Sequence, residues 1–134
     1  MSKLDMIEGI GAAYETKLKE AGVTSVEDLL ETCITKKGRS DLAQKADISE
    51  KLILKWANHA DLFRIKGIAG EYAELLEAAG VDTVPELAQR KAENLFAKMS
   101  ETNEVKKLVR KIPTQNQIED WIKQAASLPR KLQY

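Results

Sequence analysis

The sequence predicts an all-helical chain assembled from one short-helix pattern used twice, and three observations carry that prediction. No stretch alternates apolar and polar residues as a half-buried strand does; apolar residues recur instead at the three-to-four spacing of a buried helical face. The segment IEGIGAAYETKLKEAGVTSVEDLL at Ile7–Leu30 returns as IKGIAGEYAELLEAAGVDTVPELA at Ile65–Ala88, a constant 58 positions on. Glycine and cap-forming residues fall at the same points of both copies.

The elements follow in order. Tyr14, Leu18 and Ala21 mark the buried face of a first helix, ended by Gly22, and Tyr72, Leu76 and Ala79 mark its counterpart, ended by Gly80. A glycine just past the last apolar residue supplies the left-handed conformation that closes a helix. Ser25 and Thr83 then stand where the next helix needs an N-cap, with Asp28 and Glu86 three residues on and Pro85 in a first turn. Val26, Leu29 and Leu30 continue the periodic face.

Beyond this the copies diverge but remain alignable, Leu42-Ala43 with Leu95-Phe96 and Trp56/Ala60 with Trp121/Ala125. The tryptophan-bearing helices follow the caps Ser49 and Thr114. Each half therefore reads as four or five helices, residues 1–64 and 65–134, and no Gly/Ser/Pro-rich linker separates them. The expectation is two helical bundles packed as one unit, with both tryptophans in the core.

Composition narrows the function classes. The 134 residues make one compact domain or two very small ones, too little for a large catalytic cleft. Lysine plus arginine and aspartate plus glutamate each number 21, so no global field draws the chain to nucleic acid or membrane, and electrostatic binding must be local. A single cysteine, Cys33, and a single histidine, His59, exclude an internal disulfide and a Cys/His zinc cage. No apolar run approaches the ~18 residues that span a bilayer, and the first residues form no signal peptide, so a cytoplasmic protein without membrane contact is expected. No catalytic pair, metal triad or small-molecule phosphate loop stands out. Neither enzyme chemistry nor a cofactor is expected.

The segments Gly9-Ile10-Gly11 and Gly67-Ile68-Ala69-Gly70 each open a helix. Glycines allow a sharp reversal there while the isoleucine plugs the core, and the amides at the helix start can meet an anion. Cations that could assist are Lys17 and Lys19 in the first copy, Lys66 in the second, and the runs Lys36-Lys37-Arg39 and Lys106-Lys107 with Arg110-Lys111. Glu8, Glu15, Glu71 and Glu74 oppose them.

On these residues the sequence resembles the helix-hairpin-helix superfamily, of SAM-like fold, and LKEAGVTSVEDLL is similar to part of the C-terminal domain of the bacterial RNA polymerase alpha subunit. Over nearly the whole chain, GIGAAYETKLKEAGV, KKGRSDLAQKADIS, ILKWANHADLFRIKGI, YAELLEAAGVDTVPELAQR, IEDWI and LPRKLQY resemble the DUF4332 family. The resemblance implies a tandem duplication of helix-hairpin-helix units and a further, glycine-free hairpin in each half, at Ala46-Asp47-Ile48 and Lys111-Ile112-Pro113. It also implies backbone-directed binding of DNA, or of structured RNA, at Gly9, Ile10, Gly11, Lys17, Lys19, Lys66, Gly67, Ile68, Gly70, Lys106, Lys107, Arg110 and Lys111. The first hairpin is expected to dominate, because Ala69 stands where the first copy has Gly11. The alternative is an adaptor for a protein partner that does not bind nucleic acid.

Overall fold

A computed structural model describes residues 2–134 and is all-helical among them. A 3-10 turn at Leu4–Met6 precedes helices α1 (Ala12–Glu20), α2 (Val26–Thr32), α3 (Lys36–Ala46), α4 (Glu50–Leu62), α5 (Gly70–Ala78), α6 (Val84–Ala88), α7 (Ala92–Lys106) and α8 (Gln115–Ser127). The chain forms two compact units, residues 2–61 with 131–134, and residues 62–130. The division thus falls at Asp61/Leu62, three residues before the start of the sequence repeat, and the last four residues count with the first unit.

In the first unit Leu18, Leu29, Ile53 and Trp56 are buried together with Cys33 and Leu42. α1 ends as its glycine predicts: Gly22 lies at φ +93° and the amides of Gly22 and Val23 donate to the carbonyls of Lys19 and Leu18. This is a Schellman closure, and it turns buried Val23 back onto the helix end. α2 starts at Ser25, whose hydroxyl accepts from the Asp28 amide at 3.1 Å. The Asp28 carboxylate also accepts from the Thr24 hydroxyl at 2.7 Å and the Thr24 amide at 3.2 Å.

The last four residues return to this unit as a strap. The Gln133 amide donates to the Ile34 carbonyl at 2.8 Å, Leu132 is buried, and the Tyr134 hydroxyl donates to Asn58 Oδ1 at 2.7 Å. Lys131 pairs with Glu31, and the Arg39 guanidinium lies over the Tyr134 ring, 5.4 Å from its centroid.

In the second unit a core of Leu62, Ile65, Leu75, Leu76, Val84, Leu87, Leu95, Met99, Ile118 and Trp121 is held by α8 packing against α6 and α7. Gly80, at φ +96°, closes α5 as Gly22 closes α1, with amides of Gly80 and Val81 on the carbonyls of Glu77 and Leu76. Thr83 occupies the N-cap of α6 without capping it through its side chain; its hydroxyl turns to the Glu86 carboxylate at 3.3 Å. Pro85, which has no N–H, removes one of the donors such a cap would serve. α8 carries the full reciprocal box, Thr114 Oγ1 accepting from the Gln117 amide and Gln117 Oε1 from the Thr114 amide.

Among the described residues two that are not glycine adopt the left-handed conformation, Asp47 after α3 and Lys107 after α7. The first lies in the glycine-free turn expected from sequence. The second lies four residues before Lys111, where its counterpart was expected, because the connection differs in length. Only Ile48 separates Asp47 from the cap Ser49, whereas Leu108–Pro113 separate Lys107 from the cap Thr114.

Candidate nucleic-acid interface

The first glycine turn is built on a tryptophan. Ile7 and Ile10 are buried, the Ile10 amide donates to the Ile7 carbonyl at 3.2 Å, and Gly9 between them lies at φ +95°. An L side chain strains there. A Cβ on Gly9 would meet Trp56 Nε1 at 3.5 Å, and the Trp56 ring receives Tyr14 edge-on, with centroids 5.0 Å apart at 66°. The chain then runs extended through Gly11 into α1, leaving Gly11, Ala12 and Ala13 exposed. The first N–H groups of a helix have no intrahelical acceptor, so this end offers donors and a positive dipole to solvent.

The second turn repeats these relations. Ile65 and Ile68 are buried, the Ile68 amide donates to the Ile65 carbonyl at 3.3 Å, and Gly67 lies at φ +99°. A Cβ on Gly67 would meet Trp121 Nε1 at 2.9 Å, and Tyr72 leans on Trp121 at 5.4 Å and 54°. Here α8 also grips the turn directly. Gln124 accepts from the Lys66 amide at 2.9 Å and donates to the Lys66 carbonyl at 3.1 Å, so the backbone of Lys66 is fixed while its side chain stays exposed.

The second glycine of each segment behaves differently from expectation. Gly11 has φ −89° and Ala69 φ −107°, both ordinary extended backbone at the N-cap, and no atom lies within 4 Å of a Cβ built on Gly11. The reversal therefore needs left-handed glycine once per turn, at Gly9 and Gly67. Gly70 is the first residue of α5 and is buried, so the start of α5 is less open than that of α1.

The lysines assigned to the first turn are not beside it. Lys17 and Lys19 lie in the last turn of α1, roughly 9 and 12 Å along the axis from Gly11 at a rise of about 1.5 Å per residue. Lys17 Nζ donates to the Asp47 carbonyl at 3.2 Å and caps the end of α3; Lys19 pairs with Glu15 at 3.7 Å. The 36–39 cluster is also dispersed. Arg39 is buried, donating to the carbonyls of Cys33 at 2.9 Å and Ile34 at 3.3 Å, and Lys37 pairs with Asp41 at 3.4 Å.

The second unit keeps its cations available. Lys66, Lys106, Lys107, Arg110 and Lys111 are all exposed. Two contacts that the sequence did not signal hold the segment bearing the last of these. Asn103 accepts from the Val109 amide and donates to the Val109 carbonyl, each at 3.0 Å, and Tyr72 in the first turn of α5 donates to the Lys111 carbonyl at 3.2 Å. The repeated tyrosine was the only available hint, since Tyr72 aligns with Tyr14.

Among the described residues no group of three or more His, Cys, Asp or Glu side chains is arranged to hold a metal ion, and no helix is long and apolar enough to cross a membrane. Cys33 is fully buried, and burial pushes its thiol up to about 12. No curated protein and no solved structure matches the chain. The family profile described as Domain of unknown function (DUF4332) matches residues 8–128, nearly the whole sequence, and the chain belongs to that family.

Proposed function

We propose that the chain is a tandem duplication of helix-hairpin-helix units that binds the backbone of duplex DNA without reading its sequence. The observation that carries this reading is the matched pair of turns. A left-handed glycine set against a buried tryptophan, at Gly9 on Trp56 and Gly67 on Trp121, delivers the chain to the start of a helix in each unit. Such a start suits an oxyanion by its free amides and its dipole. Contacts of this kind reach phosphate and not base edges, so they position a duplex without selecting its sequence.

The residues assigned to contact are Gly9, Gly11 and the amides of Ala12 and Ala13 in the first unit, and Lys66 and Gly67 in the second. Ile10 and Ile68 act from below as plugs that hold the turns. With equal numbers of acidic and basic residues, affinity depends on these local contacts and falls steeply with salt. Titration of labelled duplex, single-stranded and junction DNA at low salt, read by fluorescence anisotropy, tests the proposal. Binding of duplex regardless of sequence is expected. No binding to any of the three at tens of micromolar protein overturns it, and a stoichiometric protein partner retained after nuclease treatment would put an adaptor role in its place.

A further inference from the structure

We infer that the segment Leu108–Pro113, present in the second unit and absent from the corresponding place in the first, is a preformed phosphate-gripping loop that supplies most of the chain's electrostatic attraction to duplex DNA. This rests on the reading that the chain binds duplex backbone; it adds which unit, which side chains and by what means.

The two connections that lead into the tryptophan helices differ in length and charge. In the first unit a left-handed residue, one apolar residue and an N-cap suffice: Asp47, Ile48, Ser49. In the second, six residues stand between left-handed Lys107 and the cap Thr114. A loop that only joins helices has no need of the extra length. From Lys106 to Lys111 the sequence KKLVRK places four cations in six residues with no acid among them. The first unit's connection, Asp47-Ile48-Ser49, carries an acid and no cation.

The loop is also built, not merely long. Asn103 holds Val109 by both its amide and its carbonyl, Val109 and Pro113 are buried, and Tyr72 holds the Lys111 carbonyl. Backbone groups and apolar side chains thus face the protein while Arg110 and Lys111 are exposed. A fixed backbone lowers the ordering cost of binding, as preorganisation does generally. Among the described residues none of Lys106, Lys107, Arg110 and Lys111 forms an ion pair. Their charge is available to a polyanion without first breaking an internal contact.

Tyr72 lies in the first turn of α5, the helix that the second glycine turn opens, so its bond to Lys111 ties the loop to the start of that helix. At this turn Gly70 is buried, so the amide end of α5 is less open to phosphate than that of α1. The loop's cations answer that deficit. The first unit shows the opposite division, with open amides at the start of α1 and Lys17 and Lys19 engaged elsewhere.

The experiment compares three full-length proteins for duplex binding across a salt series: the unaltered chain, Arg110→Ala with Lys111→Ala, and Ala12→Glu with Ala13→Glu. Both changes fall on exposed side chains, and the Tyr72 bond to the Lys111 carbonyl is retained because it is a backbone contact; circular dichroism checks the fold. The loop variant is expected to lower the slope of log affinity against log salt by about two, near 0.9 per phosphate contact removed. The glutamate variant, which sets acids against phosphate at the first turn, is expected to weaken binding with a smaller change in slope. An unchanged slope in the loop variant, with binding lost in the glutamate variant, overturns the loop assignment and leaves the duplex-binding reading standing. Failure of the unaltered chain to bind duplex overturns both.

Discussion

The Cβ that alanine would place at Gly67 falls 2.9 Å from Trp121 Nε1, whereas at Gly9 the same atom falls 3.5 Å from Trp56 Nε1. Both glycines lie in the left-handed region, at +99° and +95°, so alanine strains the backbone equally at the two sites, by about 1–2 kcal/mol. Only at Gly67 must the buried indole also move, and overpacking of that kind adds about 1–3 kcal/mol. Gly67→Ala is therefore expected to lower stability more than Gly9→Ala by roughly that added amount, measured by urea unfolding. Gly11→Ala, at φ −89° with open space around its Cβ, is expected to stay within about 0.5 kcal/mol of the unaltered chain. Equal losses at Gly67 and Gly9 would show that the difference in clearance has no energetic weight.

Lys17 and Lys19 separate a cap from a surface pair. Lys17 donates to the Asp47 carbonyl at the end of α3, where a cation also meets the negative end of the helix dipole. Lys17→Ala is expected to cost about 0.5–1.5 kcal/mol. Lys19 meets Glu15 four residues earlier with just over half its side chain exposed, and Lys19→Ala is expected to cost no more than about 0.5 kcal/mol. Thermal melts of the two variants check the order. A larger loss for Lys19 would mean that the Lys17 contact does not persist in solution.

What the sequence disclosed and what it withheld divide along physical lines. Left-handed glycines, caps and buried periodic positions are local rules, and they placed Gly22, Gly80, Ser25, Thr114, Ile10, Ile68 and the two tryptophans correctly. The side-chain cations did not follow from proximity in sequence. Lys17 is six residues from Gly11, and a helix converts that interval into distance along its axis; Arg39 belongs to a basic run, yet two carbonyls draw it inward. The tethers Gln124 to Lys66 and Tyr72 to Lys111 span 58 and 39 positions, and no periodicity encodes a bond between an amide or phenol side chain and a distant backbone.

Cys33 offers a test by pH. Its thiol is fully buried and stands at about 12, against an ordinary 9.0, with burial the chief cause and the nearby Arg39 charge acting weakly the other way. A group whose folded value is raised contributes its full stability below the unfolded value and loses it as pH rises toward the folded one. Stability is therefore expected to fall between about pH 9 and pH 12 more steeply in the unaltered chain than in Cys33→Ala, by unfolding titrations at several pH values. At pH 8 the thiol is expected to resist alkylation in the folded protein and to react in denaturant. Rapid labelling of the folded chain would contradict the buried assignment.

The strap at residues 131–134 yields a prediction about which of its contacts holds it. Leu132 is 2% exposed, so Leu132→Ala removes buried apolar volume and is expected to destabilise by about 2–3 kcal/mol, at the lower end for such truncations because a strap can settle into part of the space. Tyr134→Phe removes the hydroxyl's bond to Asn58 Oδ1 while leaving the ring under the Arg39 guanidinium, and a loss of about 1 kcal/mol is expected. Lys131→Ala breaks a pair whose glutamate side chain is 60% exposed, and the effect is expected to stay below about 0.5 kcal/mol. Hydrogen exchange locates the consequence. The Gln133 amide, bonded to the Ile34 carbonyl, is expected to lose protection in Leu132→Ala, while amides in the α7 and α8 core of the second unit keep theirs. If Lys131→Ala proved as damaging as Leu132→Ala, the strap would be held by its surface charge, and burial of Leu132 would not be what returns the chain to the first unit.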